Sequence, residues 1–569
     1  MDAGLESAIR KYAIKNAIDY GKAGEKQVLG RVLSSNPSAK SDMQALNESI
    51  AAIVAQVNKM GKADLEKEFA QYQGEFDTIE KKKAEESVPK FVLDGAVKGN
   101  FATRYAPAPN GYMHVGHVKA ALMAAEFAKI YDGKIFLYFD DTNPEKDRQE
   151  YVDQMKRDME WLGIRFDHEY YASDNIVKVY DATKLLIQKG MAYVCECDSE
   201  KMSKGRYDSI ECEHRQRSVK ENEELFVAML NHKTEEGKAI VRFKGDMKSD
   251  NTALRDPTII RIKNDAHYRQ GTQYSVWPTY DVNTPIMDSI HGVTDVIRSK
   301  EFELRDELAA MILDALGMRK PRIHSESRLV IKNNVTHKRE LNKLITESIL
   351  SGWDDPRLVT ITALKRRGIL PDAIREFVLR FGMSKTDGKV GIEMLLAENR
   401  KIIDPTSRRL YYVENPVALR IDGFAAKEVE LKLHPTGDLG SREYRVNGNV
   451  YINKKDADGA ATGGVIRLKN LADVEVTAKG DSISAKETKK AGSAIQWVPA
   501  EDYVECSIMI PGNPVDDEGK LMADSMKWSK GYVESYAKTL KEGDIVQLER
   551  FGFCILDSLK PLQFIFISN

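Results

Sequence analysis

The chain has 569 residues, which predicts three or four domains and is ample for a large buried core. Its 85 Lys and Arg residues against 87 Asp and Glu give a net charge of −2, so a surface that is basic throughout is excluded and any nucleic-acid-binding surface must be a local patch. No run of eighteen apolar residues occurs and charges interrupt the first thirty positions, so we expect neither a membrane-spanning helix nor a signal peptide.

The N-terminal part of the chain is predicted to be helical. Between Met43 and Met60, apolar residues recur at helical spacing and line one face. This apolar stripe consists of Leu46, Ile50, Ile53, Val54 and Val57.

The next part of the chain alternates strand and helix. Phe101–Ala106 is a predicted strand, Lys134–Phe139 is apolar on both faces like a buried parallel strand, and Glu145–Leu162 is a predicted helix. The helix between the two strands is expected to end at Gly133, which would act as a glycine stop. This alternation predicts a doubly wound parallel α/β sheet.

The rest of the chain predicts an insertion and then a change of structural class. Polar, mixed sequence from 190 to 290 indicates an inserted domain, and helices are predicted from Lys300 to about Glu398. Beyond Asp404, short alternating runs with frequent Gly and Asn, such as Arg445–Ile452, predict β-hairpins and barrels. The predicted divisions are a helical N-terminal region at 1–95, the two halves of a nucleotide-binding catalytic domain at 96–190 and 291–345, an inserted domain at 191–290, a helical connecting domain at 346–403 and β-barrels at 404–569.

The loop and helix start after the first strand carry the strongest chemical signal. The chain has neither a Walker phosphate loop nor a GxGxxG fingerprint, but Pro109-Asn-Gly-Tyr-Met-His-Val-Gly-His117 follows a strand and opens a helix. Two imidazoles three residues apart, with the amides and dipole of the helix N-terminus, can donate hydrogen bonds to phosphate oxygens. Gly116 is expected to leave room for a nucleotide beside the backbone. Taken alone, HxGH is explained equally well by two polar residues that cap a helix.

In its context, this motif resembles the HIGH signature of the class I aminoacyl-tRNA synthetases. Five segments, in family order, look like the glutamyl- and glutaminyl-tRNA synthetase branch: RYAPAPNGYMHVGHVKAAL (104–122), FDDTNPEK (139–146), PTYD (278–281), GVTDVIRSKEF (292–302) and SGWDDPRL (351–358). The helical first ninety residues and the β-rich end, with Gly543-Asp-Ile-Val-Gln-Leu-Glu-Arg550, look like the archaeal glutamyl enzyme.

The resemblance implies a ligase that uses ATP, with Mg²⁺ held largely by ATP oxygens, to join an amino acid to the 3′ end of a tRNA. It also implies that the insertion binds the tRNA acceptor end and that the C-terminal barrels read the anticodon through unstacked bases. Carried over position by position, it gives catalytic roles to His114, His117 and Lys338. The implied ATP-binding residues are Pro107, Gly111, His114, Gly116, His117, Arg328, Leu329 and Lys338.

Class I enzymes also carry a mobile KMSKS loop, and this chain offers three candidates. Lys201-Met-Ser-Lys-Gly205 has the best spelling but lies between two cysteine pairs in the insertion, and Met383-Ser-Lys-Thr386 comes after SGWDDPRL. The family position is Val335-Thr-His-Lys-Arg339, just downstream of Ser327-Arg-Leu329, although a histidine replaces the usual serine. There Lys338 would supply a mobile cation to the charge that builds on the α-phosphate and on pyrophosphate. The alternative is a plain surface lysine.

For the amino acid, the resemblance implies that Arg104 meets the substrate carboxylate, that Asp140 meets the α-ammonium and that Tyr280 forms a wall of the pocket. Arg298 stands at the family position against the end of the substrate side chain, where glutaminyl enzymes carry a small uncharged residue. A guanidinium pairs bidentately with a carboxylate and matches a neutral amide poorly, so Arg298 favours L-glutamate and tRNA(Glu). Taken alone, an arginine before a helix is usually a solvated charge.

Two alternatives stay open. One is a glutaminyl-tRNA synthetase, which Arg298 opposes. The other is a synthetase-like protein that binds tRNA without catalysis, which the altered loop at 335–339 would permit. The sequence does not decide whether tRNA(Gln) is also charged, and neither DNA nor a membrane is an expected partner.

The cysteines predict one metal site. Cys195-Glu-Cys197 and Cys212-Glu-His214 form a CxC…CxH set, and three thiolates with one imidazole make a closed tetrahedral site for a structural Zn²⁺. Buried free cysteines are the alternative, but paired clustering in a chain with five cysteines favours zinc. This usage fits a reduced, cytoplasmic chain without a disulfide framework. The two remaining cysteines, expected in the core, are Cys506 and Cys554.

Overall fold

The structure is a computed structural model that describes residues 3–35, 43–72, 76, 91–522 and 524–569. The chain divides into two compact units, Met1–Pro89 and Lys90–Asn569. Among the described residues, no helix is both long and apolar enough to cross a bilayer.

The first unit is helical over its described residues, as predicted. Its helices α1 to α4 are Ala3–Tyr20, Glu25–Ser35, Met43–Val57 and Lys62–Phe69. The predicted stripe on α3 is confirmed, because four of its five residues are buried and Ile53 is partly buried against the same core.

The first half of the α/β region follows the predicted alternation. Strands β1 (Ala102–Tyr105), β2 (Lys134–Phe139) and β3 (His168–Tyr171) form a parallel sheet in the order β1-β2-β3. The helices that follow these strands are α5 (Val115–Ile130), α6 (Gln149–Trp161) and α7 (Ile176–Gln188). The β2 prediction is confirmed residue for residue, and five of its six residues are buried.

The glycine at position 133 is needed, but not to end α5, which ends at Ile130. The left-handed residue at this helix end is Asp132, with φ 47°, and Gly133 does not have positive φ. A β-carbon at Gly133 would lie 2.4 Å from the carbonyl oxygen of Phe101. Glycine is therefore required by the close approach of β1, and the expected glycine stop is wrong.

An antiparallel insertion separates the two halves of the parallel sheet. Its four strands pair in chain order and are β4 (Ala192–Cys195), β5 (Ile240–Phe243), β6 (Thr258–Ile262) and β7 (Val276–Pro278). Its helices are α8 (Ser199–Tyr207) and α9 (Val219–Leu230).

The second half of the parallel sheet resumes after this insertion. Its elements are α10 (Tyr280–Ile290), β8 (Asp295–Ser299), α11 (Asp306–Leu316) and β9 (Arg322–Glu326). Strands β8 and β9 are parallel, and the amide of Thr294 donates to the carbonyl oxygen of Ala102 at 2.8 Å, which places β8 beside β1. The resulting order, β3-β2-β1-β8-β9, is typical of a doubly wound fold.

The region predicted as helical from Lys300 to Glu398 also contains strands. Strand β9 lies in it, and β10 (Leu329–Ile331) pairs in parallel with β11 (Gly388–Val390). The helices are α12 (Lys338–Thr346), α13 (Ile361–Arg366), α14 (Pro371–Leu379) and α15 (Glu393–Ile403). The helices are as predicted for this region, but the sequence pattern misses its strands, because strands of three to five residues are too short to show a period of two.

Beyond residue 404 the chain forms two nearly closed seven-stranded barrels and a two-stranded ribbon, which confirms the predicted β class. The strands from β12 to β19 are Arg408–Leu410, Tyr412–Glu414, Val417–Asp422, Lys427–Lys432, Ser441–Val446, Asn449–Ile452, Val465–Leu468 and Ala472–Lys479. The strands from β20 to β27 are Ile483–Glu487, Ser493–Ile495, Trp497–Pro499, Tyr503–Pro511, Met526–Glu534, Ile545–Leu548, Gly552–Leu559 and Leu562–Ser568. A short helix, α16 (Lys454–Gly459), follows β17.

The two barrels interleave along the chain. The first barrel contains β14 and β17 to β22, whereas the second contains β12, β13 and β23 to β27, so the second is begun before the first and finished after it. The predicted hairpin at Arg445–Ile452 is wrong. Strand β16 pairs with β15 in the ribbon, while β17 pairs with β14 and β22.

The second barrel packs directly on the helices that follow the parallel sheet. Phe553, Ile555 and Ile567 share one core with residues of α13 and α14. The loop between β23 and β24 (the β23–β24 loop) reaches further, because Val515 packs in the same cluster as Leu341 and Leu344 of α12. The side-chain amide of Asn333 also donates to the carboxylate of Asp517 at 3.0 Å.

Candidate active site

The HVGH segment lies at the carboxyl end of the parallel strands, where ligands bind in folds of this class. Strand β1 ends at Tyr105, and His114 is the N-cap of α5. The segment is fixed by short pairing with residues 359–361, since the Val115 amide donates to Val359 and the Ile361 amide donates to Met113. The residues that directly follow the SGWDDPRL motif therefore support the histidine motif.

The two imidazoles are stacked, with ring centroids 3.8 Å apart. The Gly116 amide donates to Nδ1 of His114 at 3.1 Å, and the His114 amide donates to Nδ1 of His117 at 3.4 Å. Because each Nδ1 accepts a hydrogen bond, the ring proton of each neutral imidazole lies on Nε2. Both rings thus offer an N–H donor on the side away from the helix backbone.

Both imidazoles are held in the neutral form. Burial, reinforced by His117 and His337, lowers the pKa of His114 well below 6.5. The His117 side chain has exposed surface, but desolvation by the surrounding protein atoms lowers its pKa to about 4. At neutral pH the pair can therefore donate hydrogen bonds to phosphate oxygens without contributing a positive charge.

Lys338 brings a basic side chain to the loop that precedes the histidine motif. It is the first residue of α12, and a β-carbon placed on Gly111 would lie 3.4 Å from its Cδ, so it reaches the loop before HVGH. Its ammonium lies 4.6 Å from the ring centroid of Tyr151. Partial burial lowers the Lys338 pKa, and the carboxylate of Asp147 opposes this effect.

The KMSKS candidate with the best spelling lies in another part of the molecule. Lys204 is exposed on α8 in the insertion, where the neighbouring Lys201 pairs with Glu213 at 2.9 Å. The third candidate, at 383–386, precedes β11 and contributes the Ser384 carbonyl that accepts from the Ser327 amide. Of the three candidates, the one at 335–339 adjoins the histidine motif.

Gly116 allows α5 to approach β10. A β-carbon at this position would lie 2.9 Å from the His114 ring and 3.0 Å from the carbonyl oxygen of Leu329. The structure therefore gives a packing reason for glycine in addition to the expected space for a nucleotide. Arg328 is exposed beside this contact and pairs with Glu301 at 3.0 Å, while Leu329 is buried.

Two predicted glutamate-binding residues, Arg104 and Asp140, come from the ends of β1 and β2. The guanidinium of Arg104 is buried and donates to both carboxylate oxygens of Asp288, at 3.0 and 3.1 Å. Asp140 is also buried and accepts a hydrogen bond from Asn283 at 2.9 Å. Burial raises the pKa of Asp140 to about 6, although Asn283 and nearby arginines oppose the shift. Asp140 is thus an anion at neutral pH and can meet an ammonium group.

The other two, Arg298 and Tyr280, contact each other. Arg298 is 7% exposed, donates to the Tyr280 hydroxyl at 2.9 Å and forms an ion pair with Asp306. Its Nε atom has no hydrogen-bond partner among the described residues, and neither has the hydroxyl of Thr284. Both residues line a cavity of about 70 Å³ between α10, α11, β8 and β9. The cavity is therefore lined by two polar groups without a hydrogen-bond partner among the described residues, but Arg104, Asp140 and Tyr280 do not line it.

The predicted zinc ligands come together. Each of Cys195, Cys197, Cys212 and His214 offers one donor atom, and these four atoms lie within 4.8 Å of one another. The sulfur atoms of Cys195 and Cys212 are 3.6 Å apart, and Nδ1 of His214 is 3.5 Å from the sulfur atoms of Cys197 and Cys212. In a tetrahedron with Zn–S bonds of about 2.3 Å, sulfur atoms lie about 3.8 Å apart, so this donor set fits zinc. Cys506 and Cys554 are buried in the second barrel, as expected.

Comparison with known proteins identifies the family. Residues 100–405 match the model described as tRNA synthetases class I (E and Q), catalytic domain, and residues 407–491 and 494–557 match two anti-codon binding domain models of the same family. The chain belongs to the class I tRNA synthetases of the E and Q type. The motif-based recognition of the family and the predicted fold class are confirmed.

Curated relatives of this synthetase match it over nearly its whole length. It is 40% identical over 564 residues to the glutamate–tRNA ligase of Nitrosopumilus maritimus (strain SCM1), and the alignment covers 98% of each chain. It is 38% identical over 574 residues to the glutamate–tRNA ligase of Pyrococcus furiosus, again with 98% of each chain covered. A crystal structure of a glutamate–tRNA synthetase from Elizabethkingia anophelis aligns with 54% of this chain and 71% of that chain, with 20% identity and a TM-score of 0.40.

Several residues that shape the site of the synthetase were not predicted. Asp288 and Asp306 neutralise the two pocket arginines, and Asn283 holds Asp140. Lys119, two residues beyond HVGH, is buried against the segment before Arg328. The sequence signal that could have revealed Lys119 is its position on the apolar face of α5. An ammonium is rarely buried without a partner, so a lysine at such a position predicts a buried polar contact.

Proposed function

We propose that this synthetase is a glutamate–tRNA ligase, which activates L-glutamate with ATP and transfers it to the 3′ end of tRNA(Glu). The observation that carries the proposal is Arg298, a buried guanidinium that contacts Tyr280 and whose Nε has no hydrogen-bond partner among the described residues. The family resemblance implies that this guanidinium meets the end of the substrate side chain. The names of the relatives that match nearly the full length support it.

In the first step, an α-carboxylate oxygen of glutamate attacks the α-phosphorus of ATP in line. The bond from this phosphorus to the bridging oxygen breaks, and pyrophosphate leaves with that electron pair. The Nε2–H groups of His114 and His117 would donate to phosphate oxygens, and Lys338 would offset the growing negative charge. ATP would enter with Mg²⁺ on its own phosphate oxygens, so the protein mainly positions reactants and stabilises charge.

Substrate glutamate would lie between the carboxyl ends of β1, β2 and β8. Asp140, ionised above about pH 6, would hold the α-ammonium. Arg104 has a second guanidinium edge beyond the one that Asp288 occupies, and this edge would meet the α-carboxylate. Arg298 would meet the γ-carboxylate, with Tyr280 as the adjoining wall.

In the second step, the terminal ribose hydroxyl of tRNA attacks the acyl carbon, the ester forms and AMP leaves. We assign the insertion at 191–290 to the acceptor end and the barrels at 404–569 to the anticodon. A zinc ion on Cys195, Cys197, Cys212 and His214 would hold the insertion in shape and take no part in the reaction, because its four positions would be filled.

The direct test is adenylate formation, measured as glutamate-dependent exchange of pyrophosphate into ATP, with and without tRNA(Glu), followed by aminoacylation. Exchange and charging with glutamate, and not with glutamine, are expected. Efficient charging of tRNA(Gln) with glutamine would favour the glutaminyl enzyme. tRNA binding without exchange under either condition would favour the non-catalytic alternative.

A further inference from the structure

Lys119 is a buried lysine on the same helix as the histidine motif. Its side chain is 1% exposed. The ammonium donates to the carbonyl oxygen of Ser327 at 2.7 Å and to the Ser327 hydroxyl at 3.0 Å, and lies 3.7 Å from a carboxylate oxygen of Glu326. That oxygen has no hydrogen-bond partner among the described residues, so the Lys119–Glu326 contact is an ion pair without a hydrogen bond.

This arrangement is costly if its only purpose is to hold the fold together. The other buried residues of α5 are apolar, and a buried ion pair is often no more stable than apolar residues of the same volume. Burial lowers the pKa of Lys119 and raises that of Glu326 to about 7, so both charged forms are disfavoured by their surroundings. What the ammonium adds, and an apolar residue would not, is two directed hydrogen bonds to Ser327.

Ser327 immediately precedes Arg328 and Leu329, and this short segment is held on two sides. On one side, the Ser327 amide donates to Ser384, and the Arg328 amide donates to Asp387 at 3.0 Å. On the other side lies α5, through Lys119 and through the close approach of Gly116 to the Leu329 carbonyl. Lys119 is thus the polar link between the helix that carries HVGH and the segment 327–329.

We propose that Lys119 is a positioning residue for ATP. It holds Arg328 and Leu329 at a fixed distance from His114 and His117, and one bound nucleotide must span this distance. The inference rests on the proposed function, in which the histidines meet the phosphates of ATP, and on the ATP-binding role that the family resemblance gives to Arg328 and Leu329. Lys119 itself touches neither the substrates nor the reacting atoms. Its loss would therefore weaken ATP binding and leave the glutamate pocket unchanged.

The test uses the double variant Lys119→Met/Glu326→Gln in the full-length chain. Both charges disappear together, so no unpaired buried charge remains, whereas the hydrogen bonds to Ser327 are lost. The exposed lysine of the same helix gives the matched control, Lys129→Met. Loss of two hydrogen bonds from a charged donor corresponds to roughly a tenfold to hundredfold weaker contact. We expect the KM and the calorimetric Kd for ATP to rise by about this factor in the double variant. Its KM for glutamate and its Tm should not change. The control variant should match the parent in all four quantities.

An unchanged ATP Kd in the double variant would overturn the assignment, and so would equal rises in the KM values for ATP and glutamate, which would indicate general disturbance. If the double variant does not fold, Ser327→Ala removes one of the two acceptors without changing any charge and should raise the ATP Kd about threefold; no rise would also overturn the assignment. If the parent binds ATP but does not exchange pyrophosphate with glutamate, the proposed function fails, while Lys119 is still judged by the ATP Kd.

Discussion

Replacing Arg298 by cysteine should move the preference of the synthetase from glutamate towards glutamine. In the parent, the guanidinium is balanced by Asp306 and bonded to Tyr280. The Arg298→Cys variant loses the partner of the substrate γ-carboxylate and also leaves the Asp306 carboxylate without its cation. An incoming glutamate would then face an anion, whereas glutamine, which is neutral at this position, would not.

The expected size of the effect follows from the burial of the pair. Removing one member of a buried ion pair costs about 3–5 kcal/mol, which corresponds to a loss of roughly 200-fold to 5,000-fold in kcat/KM for glutamate. For glutamine the loss is that of ordinary contacts, about tenfold. The ratio of the two specificity constants should therefore fall by about 20-fold to 500-fold. Adding Asp306→Asn removes the stranded carboxylate, which is one-third exposed, and should restore about tenfold for glutamate.

The assay is aminoacylation kinetics with each amino acid at saturating ATP and tRNA(Glu), on the parent, Arg298→Cys, Asp306→Asn and the double variant. An unchanged ratio of specificity constants in Arg298→Cys would refute the reasoning, because Arg298 would then not contact the substrate side chain. A double variant no better with glutamate than Arg298→Cys would show that Asp306 does not face the substrate.

Three further outcomes are expected. Lys338→Ala should lower kcat for adenylate formation by about 10² or more with little change in the glutamate KM, whereas the matched Lys204→Ala should stay within about twofold of the parent; the reverse order would place the catalytic loop in the insertion. Elemental analysis should find one zinc per chain, and Cys212→Ser should lose it; a zinc-free parent or a fully loaded variant would contradict the site. Because burial raises the pKa of Asp140 to about 6, its carboxyl is neutral below that pH, and kcat/KM for glutamate should fall about tenfold per pH unit from pH 6 downwards. A flat profile between pH 7 and pH 5 would argue against this role.

Local signals in the sequence predicted the core of the fold well. Strand β2 was predicted at its observed bounds because a parallel strand covered by helices on both faces is apolar throughout. The start of α5 was predicted because a strand, a Pro- and Gly-containing loop and a histidine cap follow one another in the sequence. A CxC pair and a CxH pair likewise predicted the cluster in the insertion.

Partners that are distant in the sequence could not be predicted. Arg104 and Asp288 are 184 residues apart, and nothing near either residue indicates that the two pair. Strands β16 and β17 are separated by two residues with hairpin-like chemistry, but their partners are β15 and β14. In both cases tertiary packing decides the pairing, and the local sequence is compatible with more than one partner.

The β23–β24 loop means that the family boundary between residues 405 and 407 does not divide the synthetase into independent folding units. Removing the chain beyond it would take Val515 out of the cluster that supports α12, and with it the packing behind Lys338. It would also uncover the face of α13 and α14 on which Phe553, Ile555 and Ile567 lie. The barrels match family models of their own, but part of the hydrophobic core of the catalytic domain is formed by residues of the second barrel.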